Sequence, residues 1–270
     1  MQRSGLVASI TIILVAFLSV AGYVLWANSL GLAGFPLDDA WIHQTYARNL
    51  AETGQLAYLP GQPSAGSTSP AWSFLLSIGY LLGLDFRVWA YLLGALSLAA
   101  TAWLAYRLLL RLPALRQISG QVSQPAAALL AGLFCSVEWH LVWAAASGME
   151  TILFTALTLA LVEYFSSQVA MRQSPEGPAS VQKEQAIVSA VGIGLLGGVL
   201  VLTRPEGLVL AGMVILGLVV FPRPTDRSQL LNRLMAAGLS LLALAGVLAP
   251  YLAFNLRTSG ALLPNTFYAK

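Results

Sequence analysis

Two adjacent acids, Asp38 and Asp39, open the segment DDAWIHQTYARNLAETG (38–54) of a chain that holds only 11 Asp and Glu in 270 residues. Neighbouring carboxylates can exchange protons with a substrate or share a divalent cation with phosphate oxygens. Three later segments also carry unusual polar groups: Ser147-Gly148-Met149-Glu150-Thr151, Thr203-Arg204-Pro205-Glu206-Gly207, and Arg257 with the closing PNTFYAK. Between them, LPGQPSAGSTSPAW (59–72) is either a plain connector or a source of backbone amides and hydroxyls for a sugar or phosphate. The single cysteine, Cys135, excludes an intrachain disulfide and a Cys-rich metal site. His43 and His140 are too few and too far apart for a zinc motif.

The acids need an element to hold them. Ile42, Tyr46 and Leu50 recur at helical spacing, with Gln44, Arg48 and Glu52 on the opposite side. That pattern predicts an amphipathic helix in a membrane interface, with an Asp as N-cap and Gly54 just past its end. Capping needs one acid only, so the second calls for a further reason and the pair is read as functional. His43, four residues after Asp39 on the same face, is expected to make a local hydrogen bond.

The surrounding chain is 57% hydrophobic and 9% charged, where a soluble domain carries roughly 25% charged residues. Its mean hydropathy is +0.75. So few charges cannot cover a water-soluble globule, which excludes a soluble enzyme and a disordered chain and points to an integral membrane protein. A net charge of +3 is too small to suggest nucleic acid as a partner. The first apolar run, Leu6–Trp26, is about 30 Å long as a helix and is read as a retained signal anchor.

Further apolar stretches fall at 71–84, 87–110, 126–146, 152–169, 187–203, 208–221 and 234–254. Stretch 71–84 covers only about 21 Å, short of a ~30 Å core. If it does not span and Arg3 is cytoplasmic, then Arg3, Arg107, Arg111, Arg116, Arg172, Lys183, Arg223, Arg227 and Arg233 lie inside, nine of the 14 basic residues. Arg48, Arg87, Arg204, Arg257 and Lys270 then lie outside, and the positive-inside rule prefers this arrangement. The expectation is an all-α polytopic protein, one transmembrane domain over 1–270, with about seven spanning helices and two outer juxtamembrane helices. The first outer loop is 28–86, the cytoplasmic linker loop is 170–186, and the unusual residues all face outward. Glu138 and His140 fall in the outer third of 126–146, where ionisable groups usually face a cavity. Trp139 and Trp143 beside them suit an interfacial belt or a sugar-stacking surface. Glu163, near a cytoplasmic end, is expected to be solvated.

DDAWIHQTYARNLAETGQL, GSTSPAW, SGMET, TRPEG and LLPNTFYAK, in that order, resemble the GT-C glycosyltransferases, most closely their cell-wall arabinofuranosyltransferase and mannosyltransferase-like branch. The resemblance implies a membrane enzyme that moves a sugar from a polyprenyl-phosphate donor to a glycan, lipid or protein acceptor outside the cytoplasmic membrane, with inversion. It implies a multi-pass protein among membrane lipids, with its N-terminus cytoplasmic and its active site on the outer face. Asp38 matches the first acid of the family's pair and would be the general base, with Asp39 orienting the acceptor or supporting Asp38. Arg204, Arg257 and Lys270 are the outer cations for the donor phosphate; each also suits a helix end snorkelling to headgroups. Arg204 stands first, because Pro205 fixes its turn and Glu206 can hold it. Glu150, Glu206, His140 and Trp72 would bind or support substrate. No cofactor is implied beyond a possible divalent cation at Asp38 and Asp39. Family members commonly run much longer, so the chain is expected to be an N-terminal portion.

Two other functions fit the composition: a transporter or flippase for a lipid-linked or polar solute, and an inactive truncated scaffold. The helix-breaking signature of a transporter has its nearest counterpart in Gly192, Gly194, Gly197 and Gly198, which read more simply as a close-packing helix face. The topology has a direct check in a Cys135→Ser background carrying single cysteines at Gly61 or Gly177. An impermeant thiol reagent should label position 61 in intact cells, and labelling of 177 instead would overturn the orientation.

Overall fold

Long apolar runs become helices here, and the breaks between them fall where a side chain caps, a glycine turns or a proline blocks. The computed structural model describes residues 2–111, 123–173 and 179–265. Among these are ten helices and one short hairpin: α1 (Gln2–Ser29), α2 (Asp38–Thr53), β1 (Ala57–Leu59), β2 (Gln62–Pro63), α3 (Pro70–Leu81), α4 (Phe86–Arg111), α5 (Gln124–Val137), α6 (Trp139–Ala146), α7 (Thr151–Gln173), α8 (Ala179–Thr203), α9 (Gly207–Val220) and α10 (Arg227–Ser259). The protein is therefore all-α apart from the hairpin. Helices α1, α4, α7, α8 and α10 are long and apolar enough to cross a membrane, and the bent pair α5–α6 makes a sixth if it counts as one span. Helices α3 and α9 are shorter apolar helices.

Local chemistry sets the boundaries. Asp85 caps α4: its Oδ1 accepts from the backbone N–H of Arg87 and of Val88, and the Arg87 side chain bonded to it holds its carboxyl below the ordinary value. Stretch 126–146, expected as one span, is broken. Glu138 takes an extended backbone between α5 and α6, and its carboxylate accepts from Leu141 N as the cap of α6. The two helices bend by 49° there. The expected 170–186 linker is mostly helix, because α7 runs to Gln173 and α8 begins at Ala179; residues 174–178 lie outside the described residues.

The chain gathers into two compact units, Met1–Pro63 with Trp72–Leu159, and Ser64–Ala71 with Ala160–Lys270. In the first, α1, α4, α6 and the start of α7 meet through Ala16, Val20, Leu98, Ala99, Ala145 and Ile152. Small residues let these backbones approach; a Cβ on Gly94 of α4 would collide with the Ala145 carbonyl oxygen of α6. A neighbouring cluster of Phe35, Ala40, Ala47, Trp72, Leu76 and Ala90 seats α2 and α3 on α4. In the second unit, Gly192 of α8 faces the Tyr164 ring, Gly194 the Ser240 backbone and Gly198 the Val247 side chain. The Ser240 hydroxyl adds a 2.7 Å bond to the Ala190 carbonyl. These glycines are the close-packing face expected from their spacing.

Gly94→Ala should therefore cost about 1–3 kcal/mol through overpacking. Gly246→Ala, whose Cβ meets nothing within 4 Å, should be neutral or up to about 1 kcal/mol stabilising through helix propensity. Thermal unfolding of both variants in detergent checks this, and equal effects would remove the packing argument.

Candidate functional site

Helix α2 begins with its acids in water and buries its polar residues one turn later. Leu37, not an Asp, occupies the N-cap position, with extended backbone and no side-chain cap bond. Asp38 and Asp39 fill the first turn and both are exposed. Asp38 Oδ1 accepts from the adjacent Asp39 N–H at 3.0 Å, and the Asp39 carboxylate accepts no hydrogen bond among the described residues. The expectation that one acid caps the helix thus fails, whereas both acids sit at the end of the helix where negative charge is stabilising. The far end behaves as expected: Gly54 has φ 69° and its N–H closes on the Leu50 carbonyl.

The buried side of α2 differs from the sequence reading. Small residues Ala40 and Ala47 let the helix sit close, and His43, Gln44 and Asn49 are buried with them. The sequence pattern sets Gln44 opposite Ile42, Tyr46 and Leu50; in the structure it is buried, and its Oε1 accepts from the Tyr80 hydroxyl at 3.0 Å. Burial pushes the Tyr80 phenol up, which keeps that proton available to donate. Asn49 Nδ2 donates to the carbonyls of Ala57 and Tyr58, tying the hairpin to the helix. His43 makes no local bond to Asp39. Its Nε2 lies 3.2 Å from Glu150 Oε2, with the two side chains 4% and 5% exposed.

The Ser147–Glu150 turn brings that glutamate in. Gly148 has φ 78°, a left-handed conformation that favours glycine, and a Cβ there would strike the Phe35 ring. The Ser147 hydroxyl accepts from Met149 N, and the Glu150 carbonyl accepts from Phe154 N as α7 begins. Trp72, expected to contact substrate, is 1% exposed. Its indole N–H donates to the Gly148 carbonyl at 2.9 Å, so it supports the turn from beneath. Glu150, Trp72 and α2 thus come together in one packed assembly.

The other expected residues lie elsewhere. His140 Nδ1 sits 2.7 Å from Glu138 Oε1 at the α5–α6 bend, with the His140 side chain 86% exposed, so this pair does not face a buried cavity. Glu163 is buried rather than solvated. In the second unit Arg204 Nε lies 3.7 Å from Glu206 Oε2, as expected, and Arg257 is exposed in the last turn of α10. Lys270 lies outside the described residues. The same unit joins two distant motifs: the Tyr251 hydroxyl donates to the Ser67 carbonyl at 2.5 Å and Asn265 N to the Ala65 carbonyl at 2.8 Å. Ser67 and Ser69 are fully buried there, and Asn255 Nδ2 holds the Leu262 carbonyl.

Protein families, curated proteins and solved structures yield no match to this chain. The residues that sequence reasoning missed are His43 as partner of Glu150, and the buried Gln44, Asn49 and Tyr80. A usable signal existed for the first two: Ala40, His43, Gln44 and Ala47 fall at i, i+3, i+4 and i+7, the stripe of a buried helix face.

Breaking a buried pair costs more than replacing it with apolar groups. Glu150→Leu and His43→Leu should each destabilise by about 1–3 kcal/mol, the cost of leaving one buried polar group unpaired, whereas the double variant should regain most of that loss. A double-mutant cycle of thermal unfolding in detergent measures this. Additive losses would show that the two side chains do not interact.

Proposed function

We propose that the chain is a membrane glycosyltransferase that takes a sugar from a polyprenyl-phosphate donor and transfers it, with inversion, to a glycan, lipid or protein acceptor. The observation that carries this reading is the Asp38–Asp39 pair: two exposed carboxylates in one helical turn, neither of them at the N-cap position. A sugar hydroxyl is a poor nucleophile at neutral pH, so a carboxylate within hydrogen-bond reach must take its proton. Asp38 is assigned that role and Asp39 orients the acceptor. A divalent cation shared by the two with phosphate oxygens is the other use of the same geometry. Glu150 and Trp72 serve indirectly, by holding the turn and the helix that present the acids.

The departing polyprenyl phosphate gains negative charge as the glycosidic bond breaks, and fixed cations stabilise that charge most in the transition state. Arg204, held by Glu206, is the first candidate, ahead of Arg257 and Lys270. The finer topology belongs to the same proposal: α9 as a seventh span, α2 and α3 as juxtamembrane helices, the N-terminus in the cytoplasm and the acids at the outer face of the cytoplasmic membrane. Transport ranks second. The α8 glycines that were its nearest cue pack against Tyr164, Ser240 and Val247.

The test is mass spectrometry of polyprenyl-phosphate sugars in a strain lacking the gene, complemented with wild type or Asp38→Asn. One lipid-linked sugar should accumulate, and wild type should clear it about 10²–10⁴ times faster than Asp38→Asn at equal expression, the usual contribution of a general base. Equal clearance would remove Asp38 from the mechanism. An unchanged lipid profile would favour the transporter or scaffold readings.

A further inference from the structure

Two guanidinium groups meet at one helix end of the second unit with no carboxylate between them among the described residues. The last carbonyls of a helix lack intrahelical partners, and at the end of α9 arginines from two other helices supply the donors. Arg172, in the last turn of α7, donates to the Leu218 carbonyl at 2.8 Å. Arg233 of α10 donates to the carbonyls of Val219, at 3.4 Å, and of Pro222. A helix C-terminus carries about half a negative charge, too little to balance two full positive ones. No Asp or Glu pairs with either arginine among the described residues. Arg223 follows Pro222 directly and is exposed, as is Arg227 at the start of α10.

Each guanidinium has five N–H donors in a planar fork that matches phosphate oxygens, and the backbone bonds engage only one nitrogen of each. Beside this cationic end, the start of α10 presents an open strip of Arg227, Ser228, Leu231, Asn232, Leu234 and Met235. Leu231, Leu234 and Met235 expose their side chains along it. Helix α10 has 33 residues, about 50 Å of length against a ~30 Å hydrocarbon core, so part of it must stand at headgroup level. Positive charge next to an exposed apolar strip suits a ligand with an anionic head and a hydrocarbon tail.

We propose that this end of the second unit binds one anionic phospholipid, its phosphate held by Arg172, Arg233 and Arg223 and an acyl chain lying along Leu231, Leu234 and Met235. This site is independent of the transferase reading. The test uses the full chain in detergent with phosphatidylglycerol, with phosphatidylcholine of the same acyl chains, or with glycerol 3-phosphate. Native mass spectrometry should show one retained phosphatidylglycerol, and the melting temperature should rise by about 5 °C at saturating lipid; phosphatidylcholine and glycerol 3-phosphate should do neither. Arg172→Gln/Arg233→Gln should abolish retention. Arg223→Gln/Arg227→Gln, which breaks none of the backbone bonds at α9, should cut retention at least tenfold while melting as wild type does in lipid-free detergent. Equal retention of phosphatidylcholine, full retention by the Arg223/Arg227 variant, or no bound lipid would overturn the proposal. An equal shift with glycerol 3-phosphate would replace it with a site for free phosphate.

Discussion

A histidine and a glutamate held together out of water set the geometry of the first unit. Each would be costly to bury alone, and their contact joins α2 to the turn before α7 across more than a hundred residues of sequence. A helix turns by about 100° per residue, so a slip of α2 by one position would swing His43 away from Glu150 and strand both. The same slip would re-aim Asp38 and Asp39, which lie one turn earlier on the helix. The direction of the exposed acids therefore depends on contacts they do not themselves make, this one among them.

Apolar packing alone would hold α2 less specifically. Ala40 and Ala47 present small, nearly interchangeable surfaces to Trp72, Leu76 and Phe35. Directional bonds remove that ambiguity: Gln44 with Tyr80, Asn49 with the hairpin carbonyls, and Trp72 with the Gly148 carbonyl. A buried polar group is satisfied in few positions and penalised in the rest, so polar residues on an inner face select one register. In a chain this apolar, that selection is a physical reason for placing His, Gln and Asn where Leu would also fill space.

The helices were legible because their signal is local. Leu6–Trp26 lies within α1, 87–110 within α4 and 187–203 within α8 to within a few residues, since an unbroken apolar run has few other uses. The break at Glu138 was not legible: an acid inside an apolar run reads as a functional residue, and its use as the cap of α6 shows only once the bend is seen. Sides of helices were harder than helices. Polarity points Gln44 to water, whereas the spacing of Ala40 and Ala47 marks the buried stripe it belongs to. The acid pair and the Ser147–Thr151 segment were visible as unusual residues, yet the contact of Glu150 with His43 was not, because no local pattern encodes a pairing so distant in sequence. The joining of Ser67 and Ala65 to Tyr251 and Asn265 was hidden for the same reason.

Charge is scarce enough in this chain that the placement of individual acids is informative. Asp85 with Arg87, Glu138 with His140 and Glu206 with Arg204 are each two residues apart; the first two acids cap helices and the third pairs locally, so none reports on the distant fold. Asp226 caps α10 through Gln229 N. Glu150 is committed to His43. Asp38 and Asp39 stand apart from all of these: adjacent, exposed, without a counter-charge in contact among the described residues, and bonded to the helix only through the hydrogen bond that Asp38 accepts from the Asp39 N–H. Two carboxylates in one turn repel each other, and a single Ser or Asp at the N-cap would stabilise α2 better. The helix dipole stabilises negative charge at this position, and the seating of the pair one turn before the buried His43–Glu150 contact is consistent with the proton-accepting role proposed for Asp38.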